Sequence, residues 1–322
     1  MNIVTLAGGV GGAKLAQGLT LTPALSLEGR GSLTVIVNTG DDFEWHGLTV
    51  CPDLDTVTYT LSGVANTVTG WGVADDTFEA IGALQRLGVE PWFKIGDRDL
   101  ATHVYRTELL RQGRTLTAVT RIITRALGIE ATILPMTDDR FRTLVETDQG
   151  VLEFQDYFVR RQWQPVIKRI IFDGAETAQA TPQVMNALQH ADAMIIAPSN
   201  PFVSVAPILT LTPAPLSQLG RGDGGKGRKP IVAVSPIVGG QAIKGPAAKM
   251  FRELGVEPSA CAVAQHYQGM VTHFVLDQLD ANQESAIQAL GMRTRVTNTI
   301  MQTVDDRMRL AGEVVEFVMS DK

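Results

Sequence analysis

The chain has 322 residues, 44% hydrophobic and 19% charged, enough apolar side chain for a sizeable core and too little charge for a disordered polymer. Lys and Arg total 28 against 34 Asp and Glu, and the formal charge of -6 argues against broad nucleic-acid binding while leaving room for a local basic pocket. Two cysteines, Cys51 and Cys261, exclude a disulfide scaffold and a cysteine-rich zinc site, and no apolar run approaches the roughly 18 residues a membrane span needs.

The first residues lack a basic region and break into glycine at once, unlike a secretory leader, so a cytoplasmic protein with no membrane partner is expected. Asn2–Ala7 reads as a buried strand. Gly8-Gly9-Val10-Gly11-Gly12-Ala13-Lys14 follows it and opens a helix, where unpaired N–H groups and the helix dipole favour an anion. Neither standard nucleotide fingerprint fits: G-x-G-x-x-G from Gly9 needs glycine where Lys14 stands, and a P-loop needs G-K-[ST] where Ala13-Lys14-Leu15 stands. A phosphate site on Gly9, Gly11, Gly12 and Lys14 is expected; the alternative is a tight strand–helix turn with no ligand.

Leu33–Asn38 reads as a second strand, ending in Asn38-Thr39-Gly40-Asp41-Asp42. Acids in this position suit a ribose or a metal, or Asp41 and Asp42 simply form a turn. In Pro52-Asp53-Leu54-Asp55 the first acid suits a helix cap. Spaced i, i+2, Asp53 and Asp55 could instead converge on one Mg²⁺, which takes one or two carboxylates plus phosphate oxygens and water.

The stretch 76–163 has a different texture. Thr77–Leu87, Leu100–Arg111 and Leu116–Leu127 show helical periodicity with Gly88, Gly113 and Gly128 as stops, and Arg142–Thr147 with Val151–Gln155 reads as a hairpin around Asp148-Gln149-Gly150. It is expected to be a smaller, mainly helical insertion covering the strand carboxyl edge. Within it, Arg98 between Asp97 and Asp99 reads either as a local ion pair or as a bidentate phosphate clamp. His103, one turn on, either faces the same pocket or packs in the core.

Ala193–Ala197 and Ile231–Val234 are further buried strands, and Asn298–Met319 has the apolar stripe of a long helix. After the former, Pro198 and Pro201 fix a loop whose Ser199 and Asn200 offer hydrogen bonds to a base or phosphate. Strands alternating with helices, each strand ending in a small or polar cluster, predict one α/β domain over 1–322. It would be Rossmann-like and doubly wound, with a mostly parallel sheet and ligands at the strand carboxyl ends. The repeated segments Leu19–Gly31 (LTLTPALSLEGRG) and Leu209–Gly222 (LTLTPAPLSQLGRG) read as surface-loop insertions, or else as a paired docking motif. No hydrolase triad is visible, and His46, His103, His190, His266 and His273 have no metal-ligand spacing.

The set GGVGGAKL, NTGDDFEWHGLTVCPDLDTVTYTL, WGVADDTF, KIGDRDLATH, ILPMTDD, FQDYFVRRQ, APSNPFVSVAPIL and AVSPIVGG, in this order from Ile3 to beyond Gly240, resembles the 2-phospho-L-lactate transferase family of coenzyme F420 biosynthesis. The repeats depart from the family pattern and touch none of these segments. The resemblance implies Mg²⁺-dependent transfer of a phospho-acid moiety (2-phospholactyl, enolpyruvyl-phosphate or phosphoglyceryl) from a guanosine pyrophosphate donor. The acceptor is the ribityl hydroxyl of 7,8-didemethyl-8-hydroxy-5-deazariboflavin, and GMP leaves. It further implies that Gly9, Gly11, Gly12 and Lys14 hold the donor's pyrophosphate. Asp53 or Asp55 and Arg98 would contact the metal or deazaflavin, and Ser199 and Asn200 the guanosine. A homodimer is expected on the same ground. The alternative of another class is a non-catalytic, nucleotide-sugar-binding regulator of the same fold, which the PDLDTV and GDRDLATH segments match less well.

Overall fold

The structure is a computed structural model that describes residues 1–22, 31–212 and 229–320. Its centre is set by β-branched and aliphatic runs too apolar for one face to meet water. In β1 (Asn2–Ala7), Val4 and Leu6 enter one core while Ile3 and Ala7 enter the other, and β9 (Ala193–Ile196) and β10 (Ile231–Val234) divide their side chains in the same way. These strands join β2 (Ser32–Val37), β5 (Thr132–Pro135), β13 (His273–Asp277) and β14 (Arg293–Thr297) in a parallel sheet of order β14-β13-β10-β9-β1-β2-β5. The expected doubly wound, Rossmann-like α/β architecture is therefore present.

One face is covered by α1 (Gly9–Leu21), α2 (Pro52–Leu61) and α11 (Val304–Met319). At Gly18 a Cβ would fall 2.1 Å from the Arg307 carbonyl oxygen, so only glycine lets α1 and α11 approach this closely. The other face carries α6 (Pro182–His190), α7 (Ala206–Thr210), α8 (Ala247–Glu253), α9 (Ala260–His266) and α10 (Glu284–Ala289). The C-terminal helix starts later than its apolar stripe suggests. Thr303 and Asp306 form a reciprocal capping box, which ends the run from Asn298 as loop and begins the helix at Val304.

The stretch 76–163 is not one insertion. Strand β5 lies inside it and pairs with β2 from Thr34–Thr132 to Val37–Pro135, returning the chain to the central sheet. Before β5 come the hairpin β3 (Phe43–Trp45) and β4 (Leu48–Val50), then α2, α3 (Glu79–Arg86), α4 (Asp97–Arg111) and α5 (Leu116–Ala126). After β5 comes an antiparallel sheet of β6 (Arg142–Thr147), β7 (Gly150–Glu153) and β8 (Ile167–Asp173), running past Trp163. A π-helical segment, Asp156–Arg160, sits between β7 and β8. The repeats fall mostly on residues 23–30 and 213–228, outside the described residues.

The connection from β1 runs to β2 on one side, and the connection from the adjacent β9 runs to β10 on the other. The loops after β1 and β9 therefore diverge above adjacent strands and open a crevice at the carboxyl edge.

Candidate active site

A cavity of about 730 Å³ fills that crevice, within the usual range of ligand sites. Its floor is the glycine turn after β1, the loop after β9 and the start of α2; Ser235 after β10 and Thr299–Met301 after β14 complete the rim.

The turn is held from inside the protein. Ser199 Oγ accepts the Gly8 N–H at 3.2 Å and donates to the Gly8 carbonyl at 2.8 Å, clamping the two diverging loops together. A Cβ on Gly11 would lie 2.3 Å from the Pro198 carbonyl oxygen and one on Gly12 2.7 Å from Ser199 Oγ, so these glycines serve loop packing. Gly12 is buried and does not line the cavity. Val10 and Gly11 do line it, in a first helical turn whose N–H groups have no helical acceptor. Lys14 reaches the cavity and donates to the Met301 carbonyl at 2.6 Å; burial, with Arg307 and Lys244 nearby, holds its ammonium below the usual lysine range. Lys244, near enough to act on the charge of Lys14, also lines the cavity and donates to the Thr69 carbonyl at 3.1 Å. Neither lysine is paired with a carboxylate among the described residues.

Beside the glycine turn lies a group of buried acids. Asp53 accepts the Gly9 N–H at 2.7 Å and Asn38 Nδ2 at 2.9 Å, so Asn38 acts behind the cavity by orienting Asp53. Burial pushes Asp53 up to about 6 and Asp42 up to about 7. Asp41 is raised well above its usual value by burial and then by the charge of Asp53, and its Oδ1 has no hydrogen-bond partner among the described residues. Asp41 and Asp53 line the cavity; Asp42 does not.

Asp55, expected as a metal ligand with Asp53, is engaged otherwise. The guanidinium of Arg106, from α4, grips both carboxylate oxygens, and the pair is buried. Asp55 thus already has its counter-charge, whereas among the described residues Asp41 and Asp53 have none. Asp55, Asp99 and His103 do bring ligand atoms within 4.8 Å of one another, but Arg106 supplies the positive charge there. Asp99 lies under the cavity with Tyr59 donating to its Oδ1 at 2.7 Å. Burial opposes its ionisation, yet His103 and Tyr59 outweigh it and hold Asp99 below the usual carboxylate range.

Two expected residues lie elsewhere. Arg98 is exposed, donates to the Ala74 carbonyl at 3.3 Å and does not line the cavity, because the start of α4 turns it outward. Asp97 accepts from the Thr77 hydroxyl and from the Glu79 and Ala80 N–H groups, anchoring the start of α3. Asn200 does line the cavity; its Oδ1 accepts the Phe202 N–H at 3.0 Å, and Nδ2 faces Met250 Sδ.

Sequence reasoning missed Arg106 and Tyr59. Asp99, His103 and Arg106 stand at i, i+4 and i+7 of one helix, and Asp55 and Tyr59 at i and i+4 of another, a helical-face signal that was available. It also missed an aromatic wall: Trp71, Trp92, Phe93, Phe154 and Phe158 line the cavity, with Phe154 and Phe158 stacked at 5.5 Å and 5°.

Fold and cavity define a doubly wound α/β protein whose polar site lies at its topological switch point. The family model for 2-phospho-L-lactate transferase CofD matches residues 3–316, and the chain belongs to this family and is a transferase. It is 40% identical to a phosphoenolpyruvate transferase of Streptomyces avermitilis over 321 residues, covering 98% of this chain and 97% of the relative. It is also 39% identical to a 2-phospho-L-lactate transferase of Methanosarcina acetivorans over 313 residues, 97% of this chain and 98% of the relative. A solved UPF0052-family structure from Bacillus halodurans shares the fold with a TM-score of 0.64 at 14% identity, covering 98% of each chain. Among the described residues no helix is long and apolar enough to cross a membrane.

Proposed function

We propose that the protein transfers a phospho-acid moiety from a guanosine pyrophosphate donor to the ribityl hydroxyl of 7,8-didemethyl-8-hydroxy-5-deazariboflavin, releasing GMP. The observation that carries this reading is charge placement within one cavity. Among the described residues, two lysines with no carboxylate partner and two buried aspartates with no cationic partner line the same cavity, together with Trp71, Trp92, Phe93, Phe154 and Phe158. The lysines and the first turn of α1 suit a pyrophosphate, and the aromatic wall suits a flat tricyclic ring. Phosphoryl transfer needs little more than positioning and charge neutralisation.

Mg²⁺ fits the acid side. Asp41 Oδ1 is buried without a partner among the described residues and Asp53 lies within its field, a hard-oxygen set that binds this ion together with phosphate oxygens. Asp41 and Asp53 would hold it, and its charge would offset that of the donor's phosphates. Lys14 and Lys244 would grip the pyrophosphate, Ser199 and Asn200 would lie toward the guanosine, and the closed floor would exclude water from the reacting phosphorus. A homodimer belongs to the same reading.

The test incubates the pure protein with Mg²⁺, the deazaflavin and each of the lactyl, enolpyruvyl and glyceryl donors, following the fluorescent product by chromatography. Product with one donor and equimolar GMP is expected. No product with any donor, together with tight binding of a nucleotide sugar, would turn the reading to a non-catalytic regulator.

A further inference from the structure

The cavity floor contains a donor and an acceptor that none of the roles above uses. His103 is 1% exposed and lines the cavity. Arg106 Nη1 sits 3.2 Å from His103 Nδ1, and a guanidinium can only donate, so Nδ1 accepts and the neutral ring carries its hydrogen on Nε2. That Nε2 lies 3.1 Å from Asp99 Oδ1, close enough to favour the carboxylate but too oblique for an aligned hydrogen bond, and it has no other partner among the described residues. Asp99 Oδ1 is already occupied by the Tyr59 hydroxyl, while no described residue donates to Oδ2. A buried N–H without an aligned acceptor, beside a carboxylate oxygen without a donor, is the complement of one functional group. An alcohol accepts through its oxygen and donates through its hydrogen.

We propose that Asp99 and His103 take the reacting hydroxyl of the acceptor, His103 Nε2–H donating to its oxygen and Asp99 Oδ2 accepting its proton. The inference rests on the transfer reaction proposed above. The hydroxyl oxygen forms a bond to the phosphorus that bears the acid. The bond from that phosphorus to the guanosine phosphate's bridging oxygen breaks, its electron pair leaves on GMP, and the hydroxyl proton passes to Asp99. Asp99 is then a catalytic residue. His103 is both a ligand to the attacking oxygen and, through its tautomer, dependent on Arg106; Tyr59 is a positioning residue that fixes the Asp99 rotamer. Asp55 acts one step further back, by holding Arg106 where it sets the imidazole.

The experiment uses the full chain with Mg²⁺ and the active donor. It measures kcat and KM for the deazaflavin and, by fluorescence titration, dissociation constants for the deazaflavin and for an analogue whose reacting hydroxyl is replaced by hydrogen. The wild type is expected to bind the parent at least about 5-fold more tightly than the deoxy analogue. Asp99→Asn is expected to lose about 100-fold or more in kcat, the scale of a lost general base, and to bind the two ligands equally within about 2-fold. Donor affinity should not move, which a merely structural defect would not spare. If Asp99→Asn does not fold, His103→Gln and His103→Phe carry the test: the amide, which can still donate, should keep part of the hydroxyl preference, and the phenyl should abolish it. A wild type that turns over while Asp99→Asn stays within about 3-fold in kcat overturns the inference alone. A wild type that turns over with no donor overturns the transfer reading, and equal binding of parent and deoxy ligands by that wild type overturns this inference independently.

Discussion

Asp53 Oδ1 accepts the Gly9 N–H at 2.7 Å across 44 residues, so the carboxylate at the head of α2 fixes the shape of the turn after β1. Its other oxygen takes the Asn38 amide, whose own carbonyl accepts the Gly40 N–H, and three strand-end loops are thereby tied to one side chain. Asp53→Asn should keep the bond to Gly9 but set its amide against that of Asn38, which cannot turn round without releasing Gly40. We expect about 1–3 kcal/mol of destabilisation by urea unfolding, the cost of a buried unsatisfied donor. A sharp loss of the Mg²⁺ dependence of turnover should accompany it, and an unchanged magnesium titration would remove Asp53 from the metal site.

The two arginines of α4 make opposite predictions. Arg98→Lys changes an exposed side chain bonded to one carbonyl, and turnover should stay within about 2-fold of wild type. Arg106→Met leaves Asp55 buried without its counter-charge, which should cost about 3–5 kcal/mol in chemical denaturation. Equal sensitivity of the two sites would mean that the Arg98 guanidinium reaches substrate in the working enzyme.

Gly11→Val tests what the glycine turn is for. Its Cβ would meet the Pro198 carbonyl, part of the loop that closes the crevice, so the fold should weaken by about 1–3 kcal/mol from overpacking. Donor and acceptor affinity should fall together. A selective loss of donor binding at unchanged melting temperature would show instead that the position serves the pyrophosphate directly.

Stability should fall with rising pH in the metal-free protein. Asp42 and Asp53 titrate near about 7 and about 6 when folded, against an ordinary 3.8, and burial shifts Asp41 in the same direction. The native state therefore holds more protons than the unfolded chain between about pH 4 and pH 7, and each bound proton stabilises it until the folded groups ionise. Scanning calorimetry should place Tm at least about 2 °C lower near pH 8 than near pH 5.5. Added Mg²⁺ should raise Tm more at the higher pH, where ionised carboxylates can bind it. A Tm that rises across this interval would contradict the burial of these acids.

What the sequence by itself determined is local and periodic: the strands at Asn2–Ala7, Leu33–Asn38, Ala193–Ala197 and Ile231–Val234, the glycine stops at Gly88, Gly113 and Gly128, and the clustering of small and polar residues after strands. Those signals report whether neighbours along the chain want burial or a positive φ, and they sufficed for the doubly wound class and for the sheet edge at which the cavity lies. They say nothing of which helix faces which loop. Arg98 and Arg106 differ by little more than two turns of α4, and only the packing of that helix against α2 turns one to solvent and the other onto Asp55. Likewise β5 is too short to distinguish itself from a loop strand until it pairs with β2, and that pairing divides the expected insertion. Among the described residues Asp55 has a counter-charge and Asp41 has none, because desolvation and ion pairing depend on distance in space, which the fold sets across a sequence separation of 51 between Asp55 and Arg106.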